Sequence, residues 1–179
     1  MTRRLIIFGT GEIAEVAHYY FSKDSTYEVI GFTVEREFLG ERTFCDLPVV
    51  AFEDIGELFD TKSCSIFIAL GYSKLNQVRA RIFSESKTKG FRIASYISPN
   101  AFVAEGVTFG ENCFVLEDNT IQPFVEVGDN VFLWSGNHIG HHSTIGNHVF
   151  ISSHVVVSGG VTIGDYCFVG VNATFRDHI

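Results

Sequence analysis

The chain has 179 residues, enough for one large or two small domains, and its 46% hydrophobic and 19% charged content is that of a folded globular protein. A net charge of −8 argues against nucleic acid or an anionic membrane surface as the main partner, since both reward basic patches. No apolar run reaches the ~18 residues that span a bilayer, and the four apolar residues before Gly9 are too few for a signal peptide, so a cytoplasmic location is expected.

Residues 1–95 read as alternating strands and helices. Leu5–Phe8 is an apolar run ending in Gly9-Thr10-Gly11, after which Ile13, Ala14, Val16, Ala17, Tyr20 and Phe21 share one face of a helix. Strands are expected at Tyr27–Thr33, at Leu47–Val50 and at Ser65–Leu70, the last ending at Gly71. Leu75, Val78 and Ile82 mark a second helix from about Ser73 to Lys89, closed by Gly90. This order predicts a small Rossmann-like parallel sheet flanked by helices, with a boundary near Ser95–Pro99.

From there the period changes. Every sixth residue from Ile97 to Phe175 is apolar, fourteen positions in succession. Phe109–Val115, Val127–Leu133, Ile145–Ile151 and Ile163–Val169 superpose at an offset of eighteen. A six-residue period inside an eighteen-residue one means three short strands per turn of a parallel β-helix over residues 96–179. Two residues before each apolar position lies a second inward one, usually small or β-branched. Cys113 and Cys167 fall there, and with no CxxC spacing all four cysteines read as reduced thiols. Asn119 and Asn137 also fall there, and should stack as a hydrogen-bonded ladder. Gly110, Gly128, Gly146 and Gly164 share a corner where a sharp turn is expected to need a positive φ. Phe114, Phe132, Phe150 and Phe168 form an outward column, read as a surface for other copies of the chain, with cover by a loop or by the N-terminal domain as the alternative.

Two constellations carry chemistry. His141, in Asn137-His-Ile-Gly-His141-His142, stands at a corner, and Gly159 lies eighteen residues further on, so the two should be ~4.8 Å apart on adjacent coils. A histidine can take a proton from an attacking amine or hydroxyl, and a glycine N–H can hold the developing oxyanion while leaving room for a thioester. Gly9-Thr10-Gly11-Glu-Ile-Ala14 matches G-x-G-x-x-A between a strand and a helix, which suits a diphosphate; NAD, with Glu35 as ribose acceptor, is the rival ligand. His142, His148 and His154 are six apart, so they lie on three successive sides of the prism and cannot converge on one ion within a chain; no metal is expected.

On the Gly9-Thr10-Gly11 loop, the Ile68-Ala-Leu-Gly71 strand end and the hexapeptide half, the chain resembles the bacterial sugar-nucleotide acetyltransferases of the sialic acid O-acetyltransferase and bacillosamine N-acetyltransferase family. That resemblance implies a left-handed β-helix, against the usual right-handed crossover. It also implies a homotrimer with acetyl-CoA between neighbouring subunits, and an N-terminal domain holding a nucleotide-linked amino sugar. The product would be an acetylated sugar for surface glycan such as lipopolysaccharide O-antigen. His141 matches the family's base, and Gly159, with Gly160, the glycines that meet acetyl-CoA. Gly9, Thr10, Gly11, Thr33, Gly71, Lys74 and Asn76 match the nucleotide-sugar loops. Relatives often carry an acidic residue directly after the histidine; here it is His142, with Glu117 or Asp118 as substitutes to orient the ring. The chain also stops at Ile179, part-way through a hexapeptide, where relatives continue through further coils, so it reads as cut short. An O-acetyltransferase uses the same parts; a zinc carbonic-anhydrase-like enzyme and a silent nucleotide-binding scaffold are the remaining alternatives.

Overall fold

A computed structural model describes residues 3–179. The chain divides into two compact units, one of residues 3–71 with 81–94 and the other of residues 72–80 with 95–179.

The first unit is an α/β sheet. β1 (Arg3–Phe8), α1 (Glu12–Asp24), β2 (Tyr27–Val34), β3 (Thr43–Phe44), β4 (Leu47–Ala51), α2 (Ile55–Leu58), β5 (Cys64–Ile68), the C-terminal part of α3 (Gln77–Thr88) and β6 (Arg92–Ile93) follow in order. The six strands lie in the order β3-β4-β2-β1-β5-β6. All neighbours pair in parallel except the β3–β4 hairpin, whose turn places Cys45 and Asp46 at positive φ. Leu5, Ile6, Ile7 and Phe8 of β1 are all buried, as a strand between two others and covered on both faces requires. Because β2 lies to one side of β1 and β5 to the other, the strand order reverses at the carboxyl end of β1, where the Gly9–Gly11 loop begins.

The second unit is the predicted β-helix. Fourteen two-residue strands, β7 (Tyr96–Ile97) to β20 (Thr174–Phe175), fall six apart and stack into three parallel sheets, each strand pairing with the one eighteen residues on. Ile121, Val127, Leu133, Ile139, Ile145 and Ile151 are buried, as are Val125, Val131, Val149 and Val155 on the second inward phase. Only the ends of the series, such as Ile97, are exposed.

The corners differ from the sequence reading. Gly110, Gly128, Gly146 and Gly164 do not have positive φ. Instead φ lies between 55° and 84° at every sixth residue from Gly106 to His178, thirteen corners in a row. Asn, Asp and His tolerate that region better than other side chains, which is why four of the seven histidines, His142, His148, His154 and His178, stand there. The glycines are needed for a different reason. A Cβ on Gly128 would come 2.7 Å from Asn147 Oδ1 and 3.0 Å from the Gly146 carbonyl carbon, because adjacent coils touch there.

The asparagine ladder also lies in another column. Asn119 Nδ2 donates to the carbonyls of Leu116 and Trp134, each at 2.9 Å, and Asn137 Oδ1 accepts the Val155 N–H at 2.8 Å, with no bond between the two side chains. The ladder runs at the corner, where Asn112 Nδ2 donates to Asn130 Oδ1 at 2.7 Å and Asn130 Nδ2 to His148 Nδ1 at 3.0 Å.

The phenylalanine column is not a free surface. Phe114, Phe132 and Phe150 are buried, and Phe168 is 40% exposed. Residues 72–80 of the same chain lie on it: Tyr72 packs on Phe150 and Phe168, at centroid distances of 5.1 and 4.4 Å. The Arg79 guanidinium sits 4.2 Å above the Phe132 ring. Arg79 is fully buried and donates to Asn130 Oδ1 and to the carbonyls of Asn130 and Val149, at 3.0, 3.1 and 3.2 Å. The expected helix from Ser73 begins only at Gln77, because Lys74, Leu75 and Asn76 are all left-handed, with φ of 50°, 50° and 63°. Such a turn of non-glycine residues costs ~1–3 kcal/mol per residue and persists only where surroundings impose it. Here Asn76, fully buried, donates to the Cys167 carbonyl at 3.1 Å.

Candidate active site

In the α/β unit, the Gly9 loop is shaped by close approach. Gly9 has φ of +119°, its N–H donates to the Thr33 carbonyl at 2.8 Å, and a Cβ would come 3.0 Å from the Ala69 oxygen. Gly11 caps α1, and a Cβ there meets nothing within 4 Å. The helix start thus lies open next to the switch point, where the helix dipole favours an anion. A pocket of about 330 Å³ opens beside the loop, lined by Thr10, Val34, Phe38, Glu41, Thr43 and Phe44 among others. Sequence reasoning placed Thr10 here but missed Phe38, Glu41 and Phe44, which lie in a short 3-10 helix, a connecting segment and the two-residue strand β3, all too short to carry a periodic signal.

Other expected substrate residues stand elsewhere. Thr33 is buried and its hydroxyl donates to the Val50 carbonyl at 3.0 Å, so it holds the sheet together. Gly71 faces Ile13, whose Cδ1 would lie 3.2 Å from a Cβ. Lys74 and Asn76 belong to the other unit. Lys74 is exposed there, whereas the Asn76 amide is engaged by β-helix carbonyls. Glu35 accepts both guanidinium nitrogens of Arg81, at 3.0 and 2.9 Å, so its carboxylate is already bound by a cation and is a poor acceptor for a ribose.

In the β-helix the register argument for His141 and Gly159 holds at atomic level. The Gly160 N–H donates to the His141 carbonyl at 2.8 Å, which fixes the two coils against each other. A Cβ on Gly159 would lie 2.6 Å from His141 Cε1 and 2.8 Å from Nε2, so the imidazole lies directly against the glycine. Gly140 contributes equally, since its Cβ would fall 2.6 Å from the Gly159 nitrogen. In the column of Glu111, Asp129 and Asn147, the backbone N–H groups at this phase are capped from the next coil, Glu111 by Asp129 Oδ1 at 2.8 Å and Asn147 by Asp165 Oδ1 at 2.7 Å. Among the described residues the Gly159 N–H has no acceptor. An uncapped donor next to an exposed imidazole can hold charge that develops on a carbonyl oxygen.

The backbone of His141 is held by Gln122 and its ring by His142. The His141 backbone N–H donates to Gln122 Oε1 at 2.9 Å, and the ring Nδ1 lies 3.1 Å from Nδ1 of His142, the rings meeting edge to face at 87°. Neither acidic candidate reaches it. Glu117 Oε1 accepts the Ser135 hydroxyl at 2.8 Å, and Asp118 stands at a left-handed corner of its own. Gln122 and Phe124, whose ring lies 4.6 Å from that of His142, were missed in the sequence, although Phe124 stands eighteen residues before His142. Among the described residues no group of three or more His, Cys, Asp or Glu side chains is placed to hold a metal ion. No helix among them is long and apolar enough to cross a membrane.

Residues 142–177 match the bacterial transferase hexapeptide (six repeats) family. No curated protein sequence matches. Among solved structures, the acetyltransferase domain of PglB from Neisseria gonorrhoeae FA1090 is 23% identical, with a TM-score of 0.86 over 98% of this chain and 83% of that one. Its complex with acetyl coenzyme A superposes with a TM-score of 0.87 at 22% identity, over 99% of this chain and 84% of that one. The fold is shared with these acetyltransferases. A histidine-to-asparagine mutant of perosamine N-acetyltransferase from Caulobacter crescentus, in complex with CoA and GDP-perosamine, is 19% identical with a TM-score of 0.75, covering 99% of this chain and 90% of that one. The hexapeptide half is accordingly a left-handed parallel β-helix, preceded by a Rossmann-like α/β unit.

Proposed function

We propose that this chain is an acetyl-CoA-dependent sugar-nucleotide N-acetyltransferase, moving an acetyl group to the amino group of a nucleotide-linked amino-deoxysugar. His141 Nε2 takes a proton from the attacking amine as nitrogen bonds to the thioester carbonyl carbon. The carbonyl oxygen becomes an oxyanion that accepts the Gly159 N–H. Collapse of the tetrahedral species breaks the carbon–sulfur bond, and CoA leaves as the thiol with a proton returned from the imidazolium. No acyl-enzyme is formed, since both substrates are held together. The Gly9–Gly11 loop, Thr10 and the pocket beside them bind the nucleotide diphosphate, and Gly159 and Gly160 line the acetyl-CoA path. The working form is a homotrimer.

The observation that carries this reading is the unengaged Gly159 N–H beside the His141 imidazole, with Gly140 and Gly159 both lacking a side chain that would fill the space. It is supported by the shared fold of a structure that holds acetyl coenzyme A and of one that holds CoA with an amino-sugar nucleotide. The latter favours an amine over a hydroxyl acceptor.

The test is thiol release from acetyl-CoA with a panel of nucleotide-linked 3-amino, 4-amino and hydroxyl sugars. Release with an amino acceptor is expected, reduced about 10²- to 10⁴-fold by His141→Asn, the range a general base contributes. Unchanged turnover in that variant would remove His141 from the mechanism, and release with hydroxyl acceptors alone would make the enzyme an O-acetyltransferase.

A further inference from the structure

His142 occupies the place next to His141 with a geometry that only some protonation patterns allow. Its Nδ1 faces the Nδ1 of His141 at 3.1 Å, hydrogen-bond distance. A neutral imidazole carries one N–H, so of two Nδ1 atoms in contact one donates and the other accepts. If His142 donated, His141 would carry its proton on Nε2, the nitrogen 2.8 Å from the Gly159 Cβ position, and that atom could accept nothing. If His142 accepts, His141 has Nδ1–H and a free Nε2 lone pair on the Gly159 side. The second pattern becomes obligatory once His141 is an imidazolium, because both its nitrogens then carry protons and only a neutral acceptor fits at Nδ1.

His142 is also fixed more firmly than an exposed side chain usually is. Its backbone is left-handed at φ of 58°, its N–H donates to the Pro123 carbonyl at 3.2 Å, and its ring lies 4.6 Å from that of Phe124 at 42°. A platform ring, a corner backbone and a facing nitrogen together aim the His142 lone pair. Among the described residues no carboxylate meets the His141 ring.

We infer that His142 is the positioning residue of the site: its neutral Nδ1 accepts the Nδ1–H of His141 and so keeps Nε2 free as the proton acceptor. This rests on the general-base reading of His141 but is separable from it. A neutral acceptor orients the ring without placing a fixed negative charge beside it.

The corner backbone supplies clean variants. Gly and Asp both occupy equivalent corners of this chain, at Gly136 and Asp118, with φ of 78° and 58°. His142→Gly therefore removes the acceptor without backbone strain, and His142→Asp replaces it with one that can only accept. With ¹⁵N-histidine-labelled protein at neutral pH, His141 is expected as the Nδ1–H tautomer in the parent and in His142→Asp, and as a tautomer mixture in His142→Gly. Where transfer is measurable, kcat should fall about tenfold or more in His142→Gly with KM for both substrates unchanged, and recover in His142→Asp. Thermal melts establish that each variant is folded. The same His141 tautomer in parent and His142→Gly would overturn the inference, whatever the activity. So would a kcat loss that His142→Asp fails to restore. A tautomer that depends on His142 in a protein releasing no thiol would support the inference and count against the acetyltransferase reading instead.

Discussion

Along the corner of Asn112, Asn130, His148 and Tyr166 the polar atoms are bonded to one another and to Arg79, beneath residues 72–80 of the same unit. Along the corner of Phe124, His142, Gly160 and His178 the backbone takes the same left-handed turn, yet the side chains stay exposed or partly so. At the neighbouring Gly159 a backbone N–H has no acceptor among the described residues. The two corners differ in what occupies the repeat, not in the repeat. A β-helix supplies many equivalent turns, and the candidate site stands where a glycine N–H is left uncapped beside an exposed imidazole.

The largest effect on stability should come from opening the closed corner. Arg79→Met keeps apolar volume over Phe132 but removes the donors to Asn130 Oδ1 and to the Asn130 and Val149 carbonyls. Asn130 Oδ1 keeps its bond from Asn112 and the Val149 carbonyl that from the Phe132 N–H, so of the three acceptors the Asn130 carbonyl is the one left unpaired. That group at about 1–3 kcal/mol and the desolvated cation–π contact at up to about 2 kcal/mol give an expected loss of roughly 3 kcal/mol in urea unfolding after the relief of burying a charge. An unchanged midpoint would show that the arginine serves specificity rather than stability.

Contact between coils should show a smaller effect. Gly128→Ala would place a Cβ 2.7 Å from Asn147 Oδ1 and 3.0 Å from the Gly146 carbonyl carbon, at a position whose φ is not positive. It should destabilise by about 1–3 kcal/mol in urea unfolding, the usual cost of overpacking. An unchanged midpoint would show that the adjacent coil gives way to the methyl group.

The smallest expected effect is a pH dependence of the closed corner. Burial, and then the Arg79 charge, hold His148 below the usual histidine range. Its Nδ1 also faces the Asn130 amide donor. The unfolded chain therefore takes up a proton at higher pH than the folded one. Stability from this group is complete above the ordinary histidine pKa of about 6.5 and is lost as pH falls toward the lowered folded value. His148→Asn, which suits the corner as Asn112 and Asn130 do, should narrow the difference in melting temperature between pH 7 and pH 5. An unaltered difference would place the acid sensitivity elsewhere.

The β-helix was legible because its inward positions recur at six and eighteen residues, and each repeat reports the same constraint independently. Ile121 to Ile163 are where that period puts them. The same arithmetic brought His141 against Gly159, since parallel strands stack residues of equal phase on adjacent coils. The parallel sheet of the first unit was legible too, with strand ends off by one or two residues.

What periodicity could not supply was anything decided by contact between distant segments. The phenylalanine column looked like a surface for other copies because nothing in its own repeat shows that Tyr72 and Arg79 cover it. The three left-handed residues Lys74–Asn76 read as helix, since local propensity favours helix and only packing on the Cys167 carbonyl imposes the turn. Hydrogen-bond choice was equally hidden: the ladder formed at Asn112 and Asn130 rather than Asn119 and Asn137, because a corner side chain lies along the stack while an inward one reaches the carbonyls around it. The sequence thus determined the repeat and the phase of every residue in it. Which polar atoms remained free for chemistry was decided only when the coils and the covering segment came together, because a donor's partner depends on distances that no linear period contains.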